Sequence, residues 1–182
     1  MSVGHCRDLS SANHTRIGDQ THACDVRGQP LLDCGKCFDV YAQIDIDCSG
    51  QDSHCFLPQI THLGELILDY GNATFLLPTR DATAWASFVQ RWNTLGKRFT
   101  KCQLPSFGAP RRNSTAALAQ FYTTVNDRAR AILTRAEKSH GLRWFEFDIT
   151  DANAGAVLAK TVPGGGRAAC WGQSNANHKN PT

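Results

Sequence analysis

The sequence predicts an α/β domain with a mostly parallel sheet, because segments with strand character alternate with segments of helical periodicity. Short apolar runs occupy residues 73–78 and 144–149, and helical patterns precede, separate and follow them. The chain has 182 residues, of which 41% are hydrophobic, which suffices for one sizeable core and argues against two independent ones. We therefore expect one domain at residues 31–178, after a poorly ordered lead-in at 1–30 and before a tail at 179–182.

The first elements of this domain are a strand and a helix. Residues 1–30 are polar and lack a sustained period, which is typical of loop. Residues 38–46 are rich in strand formers and partly alternate apolar with polar residues, which predicts a strand. Pro58 suits the first turn of a helix, apolar residues then recur at helical spacing, and Gly71 supplies a stop. A helix is therefore predicted over residues 58–70.

A second strand and a second helix come next. Residues 73–78, with the sequence ATFLLP, have no polar alternation, which predicts a strand buried on both faces of a parallel sheet. Apolar residues then recur at helical spacing from Trp85 to Leu95, and Asp81 is available as the N-cap.

The last strand lies between two further helices. Apolar spacing predicts a long amphipathic helix from Leu118 to Ala136, which Gly141 ends. Residues 144–149, with the sequence WFEFDI, predict the third strand, and a last helix is expected over about 152–160.

Composition limits the class of partner and the compartment. The 19 basic and 16 acidic residues give a net charge of +3 with no dense basic run, so nucleic-acid binding is not predicted, whereas a small anion remains a candidate ligand. No apolar window is long enough to span a membrane, and the N-terminus lacks signal character. Eight cysteines and glycosylation sequons at Asn13, Asn72 and Asn113 nevertheless suit a lumenal or extracellular protein. This conflict indicates a missing N-terminus.

Cysteine spacing leaves the thiol roles open. Cys34 and Cys37 have the separation of metal or redox motifs, but no second pair stands at zinc-site spacing, so no metal is predicted. Cys48 and Cys55 suit a short loop disulfide, although sequence alone does not fix connectivity.

A candidate anion site follows the strand at residues 73–78. Ligands of parallel α/β sheets bind beyond the carboxyl ends of the strands, where a helix N-terminus offers unpaired N–H groups. Arg80 leaves the strand at this position, and a guanidinium holds a phosphate through two parallel hydrogen bonds. The alternative is that Arg80 pairs with Asp81 or another carboxylate while Ser87 is merely solvated. Spacing alone slightly favours this alternative.

Three segments together resemble a known family. They are residues 70–87 (YGNATFLLPTRDATAWAS), residues 31–41 and residues 170–177 (CWGQSNAN). The first resembles the 3′-phosphate-binding segment of sulfotransferases that use the donor 3′-phosphoadenosine 5′-phosphosulfate (PAPS), particularly carbohydrate and Golgi-type members, and the last resembles the C-terminal stretch of algal and protist relatives. The resemblance, which spans roughly residues 28–178, implies that Arg80 and Ser87 bind the donor's 3′-phosphate.

The resemblance also implies a fold and an activity. The fold is a P-loop NTPase-like three-layer α/β/α domain, and it is N-terminally truncated, because the family's 5′-phosphosulfate loop has no match in residues 1–30. Neither Gly35-Lys36 nor the glycines at 164–166 fit a phosphate loop. The implied activity is transfer of a sulfuryl group from PAPS to an acceptor hydroxyl, such as that of a carbohydrate, without a metal, in the Golgi lumen or secretory pathway. The resemblance favours an enzyme, and the absence of the loop leaves the activity of this particular chain open.

Two alternatives to an active enzyme stay open. One is a degenerate, non-catalytic relative that binds the nucleotide or the glycan. The other is a cysteine-rich secreted binding module whose likeness to sulfotransferases is superficial.

A sulfotransferase also needs a base for the acceptor proton. Asp45 and Asp47, near the end of the strand predicted at 38–46, are the leading candidates, with His54 and His62 behind them. Each of these residues taken alone is more often structural.

The C-terminal stretch supplies further candidates. Trp171, Asn175 and Asn177 are interpreted as lining the nucleotide site. A Trp-Gly pair is also an ordinary packing and turn unit.

Overall fold

A computed structural model describes residues 3–4, 17–34, 40–41, 44–47, 55–92, 94–102, 104, 110 and 112–162. The strands in these ranges are β1 (Val3–Gly4), β2 (Val40–Tyr41), β3 (Ile46–Asp47), β4 (Cys55–Phe56), β5 (Thr74–Thr79) and β6 (Arg143–Asp148). The helices are α1 (Ile17–Val26), α2 (Pro58–Thr61), α3 (Leu63–Asp69), α4 (Ala82–Arg91), α5 (Leu95–Phe99), α6 (Thr115–His140) and α7 (Ala154–Thr161). The predicted α/β class is confirmed.

The parallel pair β5–β6 is the longest in the described ranges, running in register from Thr74 beside Arg143 to Thr79 beside Asp148. One face of β5 packs on the helices: Phe75 and Leu77 contact a buried cluster built from α3, α6 and Leu142. Leu76 is 39% exposed on the other face. The prediction that β5 is buried on both faces is therefore wrong, because the described residues cover one face only.

Helices α4 and α6 pack against each other and begin at the predicted kind of cap. The Asp81 side chain accepts a hydrogen bond from the Ala84 N–H at 2.7 Å, as expected for an N-cap. Leu118 of α6 is fully buried against Ala86 and Val89 of α4. This packing fixes the direction in which α4 leaves the carboxyl end of β5.

The end of the long helix also agrees with its prediction. Gly141 ends α6 with φ at 68°, a left-handed conformation that glycine adopts without strain. The last helix, α7, begins two residues later than expected and ends one residue later. The helix predicted through Leu95 instead ends at Arg91, and Leu95 begins the separate α5.

Residues 38–46 do not form the single strand that was predicted. Val40–Tyr41 pairs in parallel with β1, whereas Ile46–Asp47 pairs antiparallel with β4. The helix expected at 58–70 is likewise divided, since His62 has a non-helical backbone (φ −119°, ψ 23°) and separates α2 from α3. Pro58 does begin the first helical turn, as predicted.

The lead-in at 1–30 contains structure that the sequence did not indicate. Residues Ile17–Val26 form α1, whose buried side is made by Ile17, Thr21 and Cys24. A disulfide from Cys24 to Cys34 fastens this helix, which explains why a weakly apolar segment is helical. The expectation that this part of the chain lacks a strand and a helix is therefore wrong.

Two disulfides lie in the described part of the chain, joining Cys24 to Cys34 and Cys55 to Cys102. The second replaces the expected Cys48–Cys55 loop, and the first takes Cys34 out of the Cys34–Cys37 motif. Disulfides fit an oxidising compartment, as the cysteine count suggested. No helix among the described residues has the length and apolar character to cross a membrane.

Candidate functional site

Arg80 lies where the sequence placed it, one residue beyond the end of β5 and two before the start of α4. Its backbone N–H donates to the Tyr122 hydroxyl at 2.9 Å. The Tyr122 ring in turn stacks on Trp85 of α4, with 4.7 Å between ring centroids. A strand end, a helix and a tyrosine of α6 therefore fix the backbone from which the arginine projects.

The Arg80 guanidinium has an unusual environment for a surface cation. Its Cζ lies 5.7 Å from the centroid of the Phe88 ring, within cation–π range. Its Nε is buried and has no hydrogen-bond partner among the described residues. Buried donors without partners are rare in folded proteins, because they lose their bonds to water without replacement.

The alternative in which Arg80 pairs with Asp81 is not what the described residues show. The Asp81 carboxylate caps α4 and forms no ion pair with Arg80. The same contact bears on the anion hypothesis, which expects unpaired N–H groups at this helix N-terminus. The Asp81 cap occupies one of them, the Ala84 N–H. A ligand at this edge of the sheet would therefore depend on the arginine more than on the helix.

Asp148 is a further charged group at this edge, at the end of β6 beside Thr79. Hydrogen bonds from the hydroxyl and the backbone N–H of Thr150, at 2.6 and 2.7 Å, lower the pKa of this carboxyl. The positive charge of Arg80 adds a smaller lowering of the same pKa. Asp148 is therefore ionised at neutral pH, and it partly offsets the positive potential of Arg80.

Ser87, the second predicted phosphate ligand, is half-buried on α4, one residue before Phe88. No hydrogen bond joins it to Arg80 in the described part of the chain. The structure thus brings Arg80 and Phe88 into contact. Ser87 is next to Phe88 in the sequence, and no described hydrogen bond joins it to Arg80.

Of the two leading base candidates, Asp45 has a described side chain, and no described contact joins it to Arg80. Asp45 is half-buried, and its backbone carbonyl lies so close to Gly18 that a side chain on Gly18 would overlap it. Asp47 pairs with Cys55 in the β3–β4 ladder. Asp47 ends β3 and Asp45 directly precedes it, and β3 belongs to a different two-stranded sheet from β5 and β6.

His62 has the geometry of an oriented imidazole. Its Nε2 is 3.5 Å from Asp25 Oδ1, and its Nδ1 is 2.7 Å from the Thr61 hydroxyl. Of the two base candidates whose side chains are described, Asp45 and His62, it is the one with a carboxylate partner.

Four predicted site residues lie outside the described residues. They are His54, Trp171, Asn175 and Asn177. Among the residues that are described, no group of three or more His, Cys, Asp or Glu side chains is arranged to hold a metal ion.

Tyr122, Phe88 and Asp148 are components of the site that sequence reasoning missed. The sequence pattern places Tyr122 only on the apolar face of a helix, and Tyr122 lies 42 residues from Arg80 along the chain. No short-range pattern links such residues, because the parallel β5–β6 register and the α4–α6 packing bring them together.

No protein-family model, no curated protein and no solved structure matches this chain. The fold and the geometry together define an α/β protein with a candidate anion site at the carboxyl edge of its parallel strand pair.

Proposed function

We propose that Arg80 binds the 3′-phosphate of PAPS, and that the chain is a sulfotransferase domain acting on a hydroxyl group, most simply that of a carbohydrate. The observation that carries this proposal is the Arg80 guanidinium itself. It projects from the carboxyl end of a parallel strand with a buried Nε that no described residue satisfies. A phosphate oxygen is an acceptor that satisfies such a donor with a charge-assisted bond.

The surroundings of Arg80 give the arginine a fixed starting geometry. The hydrogen bond to Tyr122 uses its backbone, and Phe88 restrains its side chain, so less conformational entropy is lost when a ligand binds. Ser87 lies beside Phe88 and is the proposed second phosphate ligand. This combination agrees with the roles that the resemblance implies for Arg80 and Ser87.

The rest of the donor site is part of the same proposal. The order strand β1, helix α1 and parallel strand β2 is that of a βαβ unit, as a P-loop NTPase-like α/β/α fold requires. His62, oriented by Asp25, is the proposed base in place of Asp45 or Asp47. The acceptor hydroxyl would transfer its proton to this imidazole as its oxygen attacks sulfur and the phosphate oxygen of the donor leaves.

The proposal is tested by titrating adenosine 3′,5′-bisphosphate (PAP) into the chain and into Arg80→Ala in a calorimeter. The hydrogen bond to Tyr122 survives this substitution because it uses the Arg80 backbone. Arg91→Ala, which removes an exposed arginine at the end of α4, is the matched control. We expect Arg80→Ala to weaken binding by about tenfold or more, and Arg91→Ala to change it little.

Asp81→Asn independently checks the direction in which PAP affinity changes when a negative charge next to Arg80 is removed. Asparagine caps a helix as well as aspartate, so the variant removes a negative charge without removing the cap. PAP should bind the variant more tightly if the phosphate lies next to Arg80. Equal PAP affinity for the unmodified chain and Arg80→Ala would contradict the assignment.

The second candidate function is a cysteine-rich secreted binding module. The disulfides Cys24–Cys34 and Cys55–Cys102 favour it, because disulfides reinforce small secreted domains. Such a module would bind a glycan with an affinity that does not depend on PAP. A degenerate relative would bind PAP through Arg80 and transfer no sulfate, so a sulfate-transfer assay separates it from an active enzyme.

A further inference from the structure

A groove of about 330 Å³ lies between α3 and α6, apart from the Arg80 edge. Its volume is at the lower end of the range of small-molecule sites, about 300–1,000 Å³. Apolar side chains form most of its lining, including Ile67 and Leu68 of α3 and Ile132 of α6. The groove is therefore suited to an apolar chain of modest size.

Small residues keep this groove open. A Cβ placed on Gly64 would meet no heavy atom of the described residues within 4 Å, so this glycine leaves open space in the groove. Ala131, on the opposite wall, is exposed and has only a methyl group to contribute. Leu68 is 77% exposed beside them, which is unusual for a leucine on a helix with a buried side. With Ile67 and Ile132, Leu68 forms a contiguous apolar surface, and surfaces of this kind mark ligand-binding grooves.

The titratable residues in the described lining of the groove are all basic. Arg128 and Arg135 line it from α6, and His140 stands at its end. The two arginines are seven residues apart, which places them on one side of the helix with about 10 Å between them along the axis. No carboxylate is among the described residues that line the groove. Arg135 therefore gives this wall of the groove a positive charge.

The nearest acidic residues of α6 are bonded on another side of the helix. The Asp127 carboxylate pairs with Arg130, which also binds Glu146 of β6. The Glu137 carboxylate accepts a hydrogen bond from the indole N–H of Trp144. These contacts face β6, so they leave the positive charge of Arg135 beside the groove uncompensated by either carboxylate.

We propose that the α3–α6 groove binds a single-chain amphiphilic anion, of the class of a medium-chain fatty carboxylate. The acyl chain lies over Ile67, Leu68 and Ile132, and the carboxylate lies at the guanidinium of Arg135. Burial of the chain supplies affinity, and the guanidinium selects an anionic head over an uncharged one. The inference does not depend on the function proposed for Arg80.

The test is calorimetric titration with decanoate below its micelle-forming concentration, compared with uncharged decanol. We expect decanoate to bind with one-to-one stoichiometry and more tightly than decanol. Arg135→Ala should weaken decanoate binding by about three- to tenfold and leave decanol unchanged. Lys138→Ala, a cation on α6 that does not line the groove, should leave both unchanged.

Filling the groove gives the second arm of the test. Ala131→Trp and, separately, Gly64→Leu place side chains in the groove, and each should abolish measurable decanoate binding. Ala116→Trp, at an exposed position of the first turn of α6, is the matched control and should bind decanoate normally. Thermal melts identify any filling variant that does not fold, and the other variant then decides the result. Undiminished binding in a folded filling variant, or equal affinity for decanol, would overturn the proposal.

Discussion

Two regions of this chain maintain their structure in different ways. Residues 74–148, the packed region, contain the six-residue strands β5 and β6 and the helices α4 and α6, which bury Leu118 and Val89. Residues 17–61, the disulfide-tied region, contain two-residue strands and short helices, and both described disulfides begin there. Regular elements with large apolar faces hold the packed region together, whereas covalent links substitute for such faces in the disulfide-tied region.

This difference bears on where a binding site can be built. A ligand site needs side chains held by rigid elements, and Arg80 obtains its support from β5, α4 and α6. The base candidate Asp45 belongs instead to the disulfide-tied region, and His62 directly follows that region. Reduction should therefore affect the surroundings of Asp45 and His62 before it affects the Arg80 edge.

Removal of the Cys55–Cys102 disulfide should have the largest effect on stability. This link closes a 47-residue separation and joins the disulfide-tied region to the packed region, so its loss should cost about 4 kcal/mol in the free energy of unfolding. The double variant Cys55→Ala with Cys102→Ala is compared with Cys24→Ala with Cys34→Ala, whose ten-residue separation predicts a smaller cost, about 3 kcal/mol. Urea denaturation measures both, and the reverse order would contradict the comparison.

Leu118→Ala should be the most damaging single apolar substitution within the packed region. Leu118 is fully buried between α4 and α6, so its truncation should cost about 3 kcal/mol through lost burial and a residual cavity. Val157→Ala, at a position 45% exposed on α7, should cost less than about 0.5 kcal/mol. Similar costs for the two variants would show that the α4–α6 interface is not the core of this region.

Tyr70→Phe should release one polar contact between the end of α3 and the disulfide-tied region. The Tyr70 hydroxyl donates to Asp33 and accepts from the Leu32 N–H, both at 2.9 Å, so its loss should cost about 1 kcal/mol. Burial is the main cause that raises the pKa of Tyr70 to about 12. Because the folded state favours the neutral hydroxyl, this stabilisation is complete below about pH 10 and is lost as the pH rises through about 12.

The ultraviolet titration of the tyrosinates measures this effect directly. The chain should show a phase near pH 12 that Tyr70→Phe lacks. A titration in which the variant keeps this phase would assign it to another tyrosine.

The controls apart, Glu146→Gln should have a smaller effect than loss of the Cys55–Cys102 disulfide, Leu118→Ala or Tyr70→Phe. The Glu146 carboxylate receives hydrogen bonds from Arg130, and these bonds lower the pKa of Glu146 below its ordinary value of 4.5. The stabilisation is therefore present above about pH 4.5 and is lost as the pH falls through the lowered pKa. Both side chains are about one-third exposed, so the cost should stay below about 1 kcal/mol.

Urea denaturation at neutral pH and near pH 3 checks this prediction. The difference between the chain and Glu146→Gln should shrink at the lower pH.

How far the sequence predicted the structure also differs between the two regions. Asp81, Gly141 and the apolar runs of β5 and β6 are local signals, and local signals suffice where an element is long and its cap is adjacent. α1 gave no such signal, because a disulfide to Cys34 stabilises a helix with few apolar residues. The division of residues 38–46 between β1 and β4 also depends on partners that periodicity does not identify.

The candidate site divides in a similar way. The position of Arg80 at a strand end follows from the strand and helix pattern, and the structure agrees with it. Its contacts with Tyr122 and Phe88 and the approach of Asp148 follow from packing and register, which a single sequence does not encode in any short pattern. The Asp81 cap of α4 follows from the local sequence, and it occupies an N–H group that an anion at this helix terminus would otherwise contact.

The most direct test of the Arg80 assignment compares two nucleotides that differ only in the 3′-phosphate. PAP and adenosine 5′-phosphate are titrated into the chain and into Arg80→Ala. The assignment predicts that the chain prefers PAP by about tenfold or more, and that Arg80→Ala loses this preference. An Arg80→Ala variant that retained the full preference for PAP would contradict it.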